Sequence, residues 1–140
     1  MPVGLPFACE LIARAASDMM ISMRSTWKAL TQDLSPEDLE LLTLYRDFCR
    51  GLPETEEQVH STQVQYVRKR IFTSGYVKSH YLEVGVELLR EASHPKLRTA
   101  FSTSKRVVLH RITLREPSQF DAALRDLIRE AWESVGPGLR

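Results

Sequence analysis

The sequence predicts an all-α protein of about five helices. Apolar residues recur at spacings of three and four along most of the chain, and helix-capping residues precede several of these runs. We identify only Lys105 to Leu114 as a possible strand, from its β-branched residues and partial alternation. Because a single strand has no partner in the chain, we expect this stretch to be extended or irregular, or paired with another protein.

Spacing and capping define the first two helices. The N-terminal helix is predicted over residues 7–30, and its apolar face is Leu11, Ala15, Met19, Met23, Trp27 and Leu30. Ser35 caps the second helix, Pro36 suits its first turn, and Gly51 ends it.

The remaining helices follow from the same signals. Thr55 opens a third helix to about residue 74, with Gln58 completing a capping-box pattern. A fourth covers residues 79–93 before His94-Pro95. The fifth follows Pro117, has caps in Ser118 and Asp121, and ends at residues 136–138.

Composition places the 140 residues, 43% hydrophobic and 26% charged, in the ordinary globular range. No run of about 18 apolar residues suggests a membrane span. No cleavable signal is evident, and two cysteines fit a reducing compartment. Residues 61–115 hold eleven Lys or Arg against three Glu, a net charge of +8, so this segment could attract an acidic partner.

Motifs for catalysis are missing from the sequence. The histidines His60, His80, His94 and His110 are too widely separated for a local metal motif, and no glycine-rich phosphate loop occurs. We therefore predict no catalytic residue, no metal ligand and no enzymatic activity.

The stretch Leu44-Tyr45-Arg46 lies within the second predicted helix. Arg46 and Arg50 are four residues apart and share a cationic edge, whereas Leu44 and Phe48 form an apolar row. Tyr45 lies between these rows and can bury its ring while its hydroxyl finds a polar partner.

These residues, together with Phe72 28 positions after Leu44 (72 − 44 = 28), resemble the LYR family of small mitochondrial helical proteins. The resemblance implies a three-helix bundle over residues 36–95. A helical extension over residues 1–35 would precede the bundle. Residues 96–140 would follow it, with an irregular segment and a final helix.

The LYR resemblance implies a non-catalytic adaptor on the matrix side of the mitochondrion. It would bind mitochondrial acyl carrier protein, which contributes an acyl chain on 4′-phosphopantetheine, and dock it on a respiratory complex, first of all complex I (NADH dehydrogenase) as an accessory subunit. Peripheral membrane association would come through that complex. The implied carrier-binding residues are Tyr45, Arg46, Arg50, Arg68, Lys69 and Arg70. The implied acyl-chain tunnel is lined by Leu44, Phe48, Val67, Ile71 and Phe72.

Several alternatives remain open at the level of sequence. The tunnel residues could simply pack the bundle. An assembly factor for another respiratory complex, for iron–sulfur machinery or for the mitochondrial ribosome shares the same fold. A basic helical domain that binds nucleic acid is the alternative from another class, whereas the adaptor interpretation expects no nucleic-acid partner. On a helix, residues 68, 69 and 70 would not form one phosphate-tracking row.

Overall fold

A computed structural model describes residues 24–138, which form a six-stranded antiparallel sheet with α-helices packed on one face. The elements in chain order are α1 (Trp27–Thr31), α2 (Pro36–Arg50), β1 (Glu56–Val59), β2 (Val64–Val67), β3 (Ile71–Lys78), β4 (Tyr81–Leu88), β5 (Leu97–Ser102), β6 (Val108–Leu114), a 3-10 turn (Pro117–Gln119) and α3 (Ala122–Ser134). The strand order is β1-β2-β3-β4-β6-β5. The prediction of an all-α, LYR-type helical bundle is therefore wrong, because strands occupy most of residues 56–114.

Two predicted helices are confirmed. The Ser35 hydroxyl accepts a hydrogen bond from the backbone N–H of Asp38 at 3.2 Å, and Gly51 follows the last residue of α2. Asp121 caps α3 in the same way, accepting from the N–H of Leu124 at 2.9 Å. Both helices begin at local capping signals that need no distant partner.

The third predicted helix, residues 55–74, is wrong, because this segment forms β1, β2 and the start of β3. Tyr66 on β2 pairs with Thr73 on β3, and the register shifts by one residue beyond this pair. Such a bulge places an extra residue, Phe72, opposite β2 and bends the strand. Phe72 and Tyr66 are both fully buried.

The fourth predicted helix, residues 79–93, is also wrong, because β4 replaces it. Ser79 and His80 have φ values of 54° and 65° and form the tight turn between β3 and β4. His80 Nδ1 lies 2.8 Å from a carboxylate oxygen of Asp38 near the start of α2.

The strand-like stretch at residues 105–114 contains β6, which pairs with both β4 and β5. The expectation that it has no partner within the chain is therefore wrong. Of the predicted N-terminal helix, residues 7–23 lie outside the described residues, and α1 covers Trp27–Thr31.

The hydrophobic core lies between the sheet and the helices. The even-numbered residues of β4 are buried, and they are Leu82, Val84, Val86 and Leu88. They pack against side chains of the two long helices, among them Tyr45 of α2 and Leu124 and Ile128 of α3. Because the helices pack on this one face, the opposite face of the sheet is covered by no helix of residues 24–138. Among these residues, no helix has the length and apolar content required to cross a bilayer.

Candidate functional site

The face of the sheet opposite the helices is here called the open face. Strand residues alternate between the two faces, so Glu83, Gly85 and Glu87 point away from the core. A Cβ added to Gly85 would lie 3.0 Å from the Ser74 hydroxyl and 3.3 Å from the Leu109 side chain. These contacts place β3, β4 and β6 side by side on the open face.

Glu83 is the central carboxylate of this face and is 8% exposed. Arg98 donates to Glu83 Oε1 from Nε at 3.2 Å and from Nη2 at 2.6 Å, and the Thr113 hydroxyl donates to Oε2. Burial raises the pKa of Glu83, but the hydrogen bonds from Arg98 and Thr113 outweigh it and hold the pKa below its ordinary value. Glu83 therefore stays ionised and fixes the direction of the Arg98 guanidinium.

Aromatic side chains stand beside arginines on both sides of this pair. The guanidinium carbon of Arg111 lies 5.7 Å from the centre of the Phe101 ring, and its Nη1 is 3.4 Å from the Tyr76 hydroxyl. Arg115 lies 5.0 Å from the centre of the Tyr81 ring and donates to its hydroxyl at 3.1 Å. An arginine thus lies over one face of each of the Phe101 and Tyr81 rings.

A depression of about 440 Å³ lies between the aromatic side chains at the Tyr81 end of the face. Its lining includes Tyr76, Lys78, Tyr81, Glu83, Arg98 and Thr113. This volume lies in the range of about 300 to 1,000 Å³ that is typical of small-ligand sites.

Charge is distributed unevenly between the two layers. On β3 to β6, the open-face carboxylates Glu83 and Glu87 each pair with an arginine, Arg98 and Arg70 respectively. The other cations of this face are Lys78, Arg111 and Arg115, and none of them forms an ion pair within residues 24–138. By contrast, α2 has four acids against two bases, a net charge of −2, and α3 has three against two, a net charge of −1. The open face is thus the cationic side of the sheet.

A second polar cluster joins α1 and α2 to β1 and β2. Arg46 donates to both oxygens of Glu57 at 2.8 and 3.0 Å, and the Tyr66 hydroxyl donates to Oε2 at 2.8 Å. The Arg46 guanidinium lies 4.0 Å from the centre of a ring of Trp27. Since the Arg46 and Glu57 side chains are only 21% and 18% exposed, this cluster mainly holds elements together.

The six residues implied to bind carrier protein do not form one surface. Tyr45 is fully buried, Arg46 is paired with Glu57, and Arg50 is exposed in the last turn of α2. Arg68, Lys69 and Arg70 lie between β2 and β3 rather than on a helix. Arg68 bonds Glu54 and stacks on Trp132, while Lys69 is exposed and Arg70 reaches Glu87.

The five residues implied to line an acyl tunnel have different surroundings. Leu44 is 39% exposed, and Phe48 packs edge-on against Phe120 with ring centres 6.0 Å apart. Val67 and Ile71 are half-buried strand residues paired across β2 and β3, whereas Phe72 is fully buried. Their tunnel role stays a prediction.

The sequence reasoning missed the open-face residues, although one signal for them was present. In "YLEVGVEL", residues 81–88, polar or small residues alternate strictly with Leu82, Val84, Val86 and Leu88. This two-residue period is typical of a half-buried strand and would have placed Glu83 on the outer face. No comparable local signal identifies Arg98 as its partner. In residues 24–138, no cluster of three or more His, Cys, Asp and Glu could hold a metal ion.

Comparison with known proteins supports this sheet-rich domain as one family unit. The family model described as "Domain of unknown function (DUF5655)" matches residues 28–135. No curated protein and no solved structure matches the chain. The resemblance to the LYR family is therefore wrong, since it depended on a helical bundle and on a short motif whose Tyr45 is a core residue. The matched region includes α2, the whole sheet and α3, and the chain belongs to the DUF5655 family.

Proposed function

We propose that this protein binds single-stranded nucleic acid along the open face of its sheet. The observation that carries the proposal is the combination, on one face, of exposed rings and of cations that form no ion pair. Tyr81 and Phe101 are 38% and 43% exposed. Lys78, Arg111 and Arg115 lie around them, and none of the three forms an ion pair with a carboxylate of residues 24–138.

The chemistry of single strands matches this combination. Unpaired bases stack on aromatic side chains, while the phosphates follow Lys and Arg along a groove. A duplex hides the faces of its bases, so it would leave Tyr81 and Phe101 unused. The net negative charge of α2 and α3 disfavours phosphate contact with the helical layer and so favours the sheet.

The direct test is fluorescence anisotropy with a labelled oligouridine of about 12 nucleotides, repeated with oligothymidine. We expect binding that weakens steeply between about 50 and 200 mM salt, because phosphate contacts release counterions. The variant Lys78→Gln with Arg115→Gln should bind more weakly. It should also lower the slope of log affinity against log salt by about 1.4, at about 0.7 for each lost contact.

The matched control is Arg50→Gln with Arg129→Gln. It removes the same charge from the helical layer, where Arg50 is exposed and Arg129 pairs with exposed Asp126. We expect its binding to equal that of the unchanged protein. Equal losses in the two variants would indicate attraction by overall charge and would overturn the open face as the site.

The carrier-protein adaptor and its mitochondrial location, which came from the LYR resemblance, are untested and stay predictions. Acyl carrier protein is acidic, so labelled acyl carrier protein serves as a second, separate probe in the same anisotropy assay. If acyl carrier protein binds and the oligonucleotides do not, the proposal of nucleic-acid binding is wrong and the adaptor is favoured.

A further inference from the structure

We propose that the depression on the open face is a guanine-selective subsite, in which Arg98 reads the base and Glu83 is its positioning residue. This inference rests on the proposed function, because the base belongs to a single strand bound along the same face. It adds a sequence preference that general binding of nucleic acid does not require.

The first step is the preorganised guanidinium. The Glu83 carboxylate accepts hydrogen bonds from the Nε–H and from one Nη2–H of Arg98. The two N–H groups of Nη1 and the second N–H of Nη2 remain available to a ligand. The Arg98 side chain is 54% exposed, while that of Glu83 is only 10% exposed. A buried carboxylate thus holds an accessible donor fork in one direction, with the Thr113 hydroxyl fixing the carboxylate from the other side.

The second step is the charge of the pair. Because Glu83 neutralises Arg98, the pair attracts a phosphate only weakly, but its unused N–H groups still need acceptors. Guanine presents two adjacent acceptors, O6 and N7, which a guanidinium binds in a bidentate manner. Adenine offers an amino donor beside N7, and this donor would oppose the N–H groups of Arg98.

The third step is the shape of the site around Arg98. The Tyr81 and Tyr76 side chains line the same depression, and Arg115 holds Tyr81 through its hydroxyl and its ring. A base needs such a ring for stacking. Lys78 is exposed at this depression and supplies a cation for the adjoining phosphate.

The test compares oligouridines of about 12 nucleotides that carry one central guanosine, adenosine or 7-deazaguanosine. We expect the guanosine probe to bind about tenfold more tightly than the adenosine probe. Replacing N7 in 7-deazaguanosine should remove most of that gain. Arg98→Lys keeps the charge but loses the planar fork, so it should reduce the preference while plain oligouridine still binds.

Glu83→Gln tests the positioning role. It should lower the guanosine-to-adenosine ratio but leave or raise the affinity for plain oligouridine, because it removes a negative charge from the face. A variant that merely damaged the fold would weaken both probes together. The matched control is Arg70→Lys, since Arg70 pairs with Glu87 on the same sheet and should leave the ratio unchanged.

The outcomes separate the two proposals. If oligouridine binds but guanosine gives no advantage, the subsite is wrong and the proposed function stands. If no oligonucleotide binds, the proposed function fails and the subsite fails with it. A preference for guanosine that is undiminished in Arg98→Lys would also overturn the assignment of Arg98.

Discussion

Tyr45 and Thr73, 28 residues apart in the chain, join α2 to the sheet through a hydrogen bond of 3.0 Å between their hydroxyl groups. Thr73 Oγ1 donates its own proton to the carbonyl oxygen of Gly85 at 2.6 Å, so the Tyr45 hydroxyl is the donor to Thr73. A helix and two neighbouring strands are thus linked by one buried polar chain. The expectation that Tyr45 buries its ring and finds a polar partner is confirmed.

This link predicts a difference between two conservative changes. Tyr45→Phe removes one hydrogen bond but leaves the Thr73–Gly85 bond intact, so it should lower the free energy of unfolding by about 1 kcal/mol. Thr73→Val should cost more, about 1 to 3 kcal/mol, since it removes both the acceptor of the buried Tyr45 hydroxyl and the donor to the Gly85 carbonyl. Urea unfolding measures both. Equal losses of unfolding free energy for the two changes would contradict the order of donors, in which Tyr45 donates to Thr73 and Thr73 donates to the Gly85 carbonyl.

The approach of Tyr45 to Gly75 gives a second prediction. A Cβ on Gly75 would lie 2.7 Å from Tyr45 Cε2, so the fully buried tyrosine ring would have to shift within the core. Gly75→Ala should therefore lower the free energy of unfolding by about 1 to 3 kcal/mol. Thermal unfolding followed by circular dichroism measures this loss.

Gly51→Ala is the matched control for the Gly75 change. Gly51 has a φ of −77°, and an added Cβ would meet only carbonyl oxygens at 3.4 and 3.5 Å. We expect it to be neutral or to stabilise the protein by about 0.4 to 1 kcal/mol through the unfolded state. A loss as large as that of Gly75→Ala would show that close approach to Tyr45 is not the cause.

These contacts also show why α2 and α3 were predictable and most of the sheet was not. Ser35 and Asp121 act on N–H groups three residues away, so the sequence carries their full signal. The turn at Ser79 and His80 adopts positive φ without a glycine, which removed the usual hairpin signal. Residues 55–74 contain apolar spacings that fit a helix but are divided by turns that depend on distant pairing.

The open face was even less accessible to sequence reasoning. The position of Glu83 follows from the alternation of β4, but its partner Arg98 lies fifteen residues later, where the register between β5 and β6 shifts. Such a shift changes which face a side chain reaches, and it is set by pairing across the sheet. The excess of cations in residues 61–115 was visible, whereas their gathering on one face was not.

Cys49 provides a third prediction, on reactivity. Its side chain is fully buried, and burial raises the pKa of the thiol well above its ordinary value. In a Cys9→Ser variant, we expect native Cys49 to resist iodoacetamide and to react readily once urea unfolds the chain. Mass spectrometry of the alkylated protein measures both rates. Native alkylation at the rate of a free thiol would contradict burial of this part of α2.

The surroundings of the Glu57 carboxylate lead us to predict how the stability of the protein depends on pH. Burial raises its pKa, but the hydrogen bonds from Arg46 and Tyr66 outweigh burial and hold the pKa below its ordinary value. The unfolded chain therefore binds more protons at this group than the folded chain. The stabilisation is fully present above the pKa of an unfolded glutamate, about 4.3, and is lost as pH falls through the lower folded pKa.

The measurement is the difference in free energy of unfolding between the unchanged protein and Glu57→Gln across this pH range. We expect the difference to be largest near neutral pH and to shrink in acid. Tyr66→Phe removes one of the two hydrogen-bond donors that lower the pKa of Glu57, so it should reduce the slope only in part. A difference that stays constant down to about pH 3 would mean that the Arg46–Glu57 pair does not stabilise the ionised carboxylate, because its loss must follow protonation.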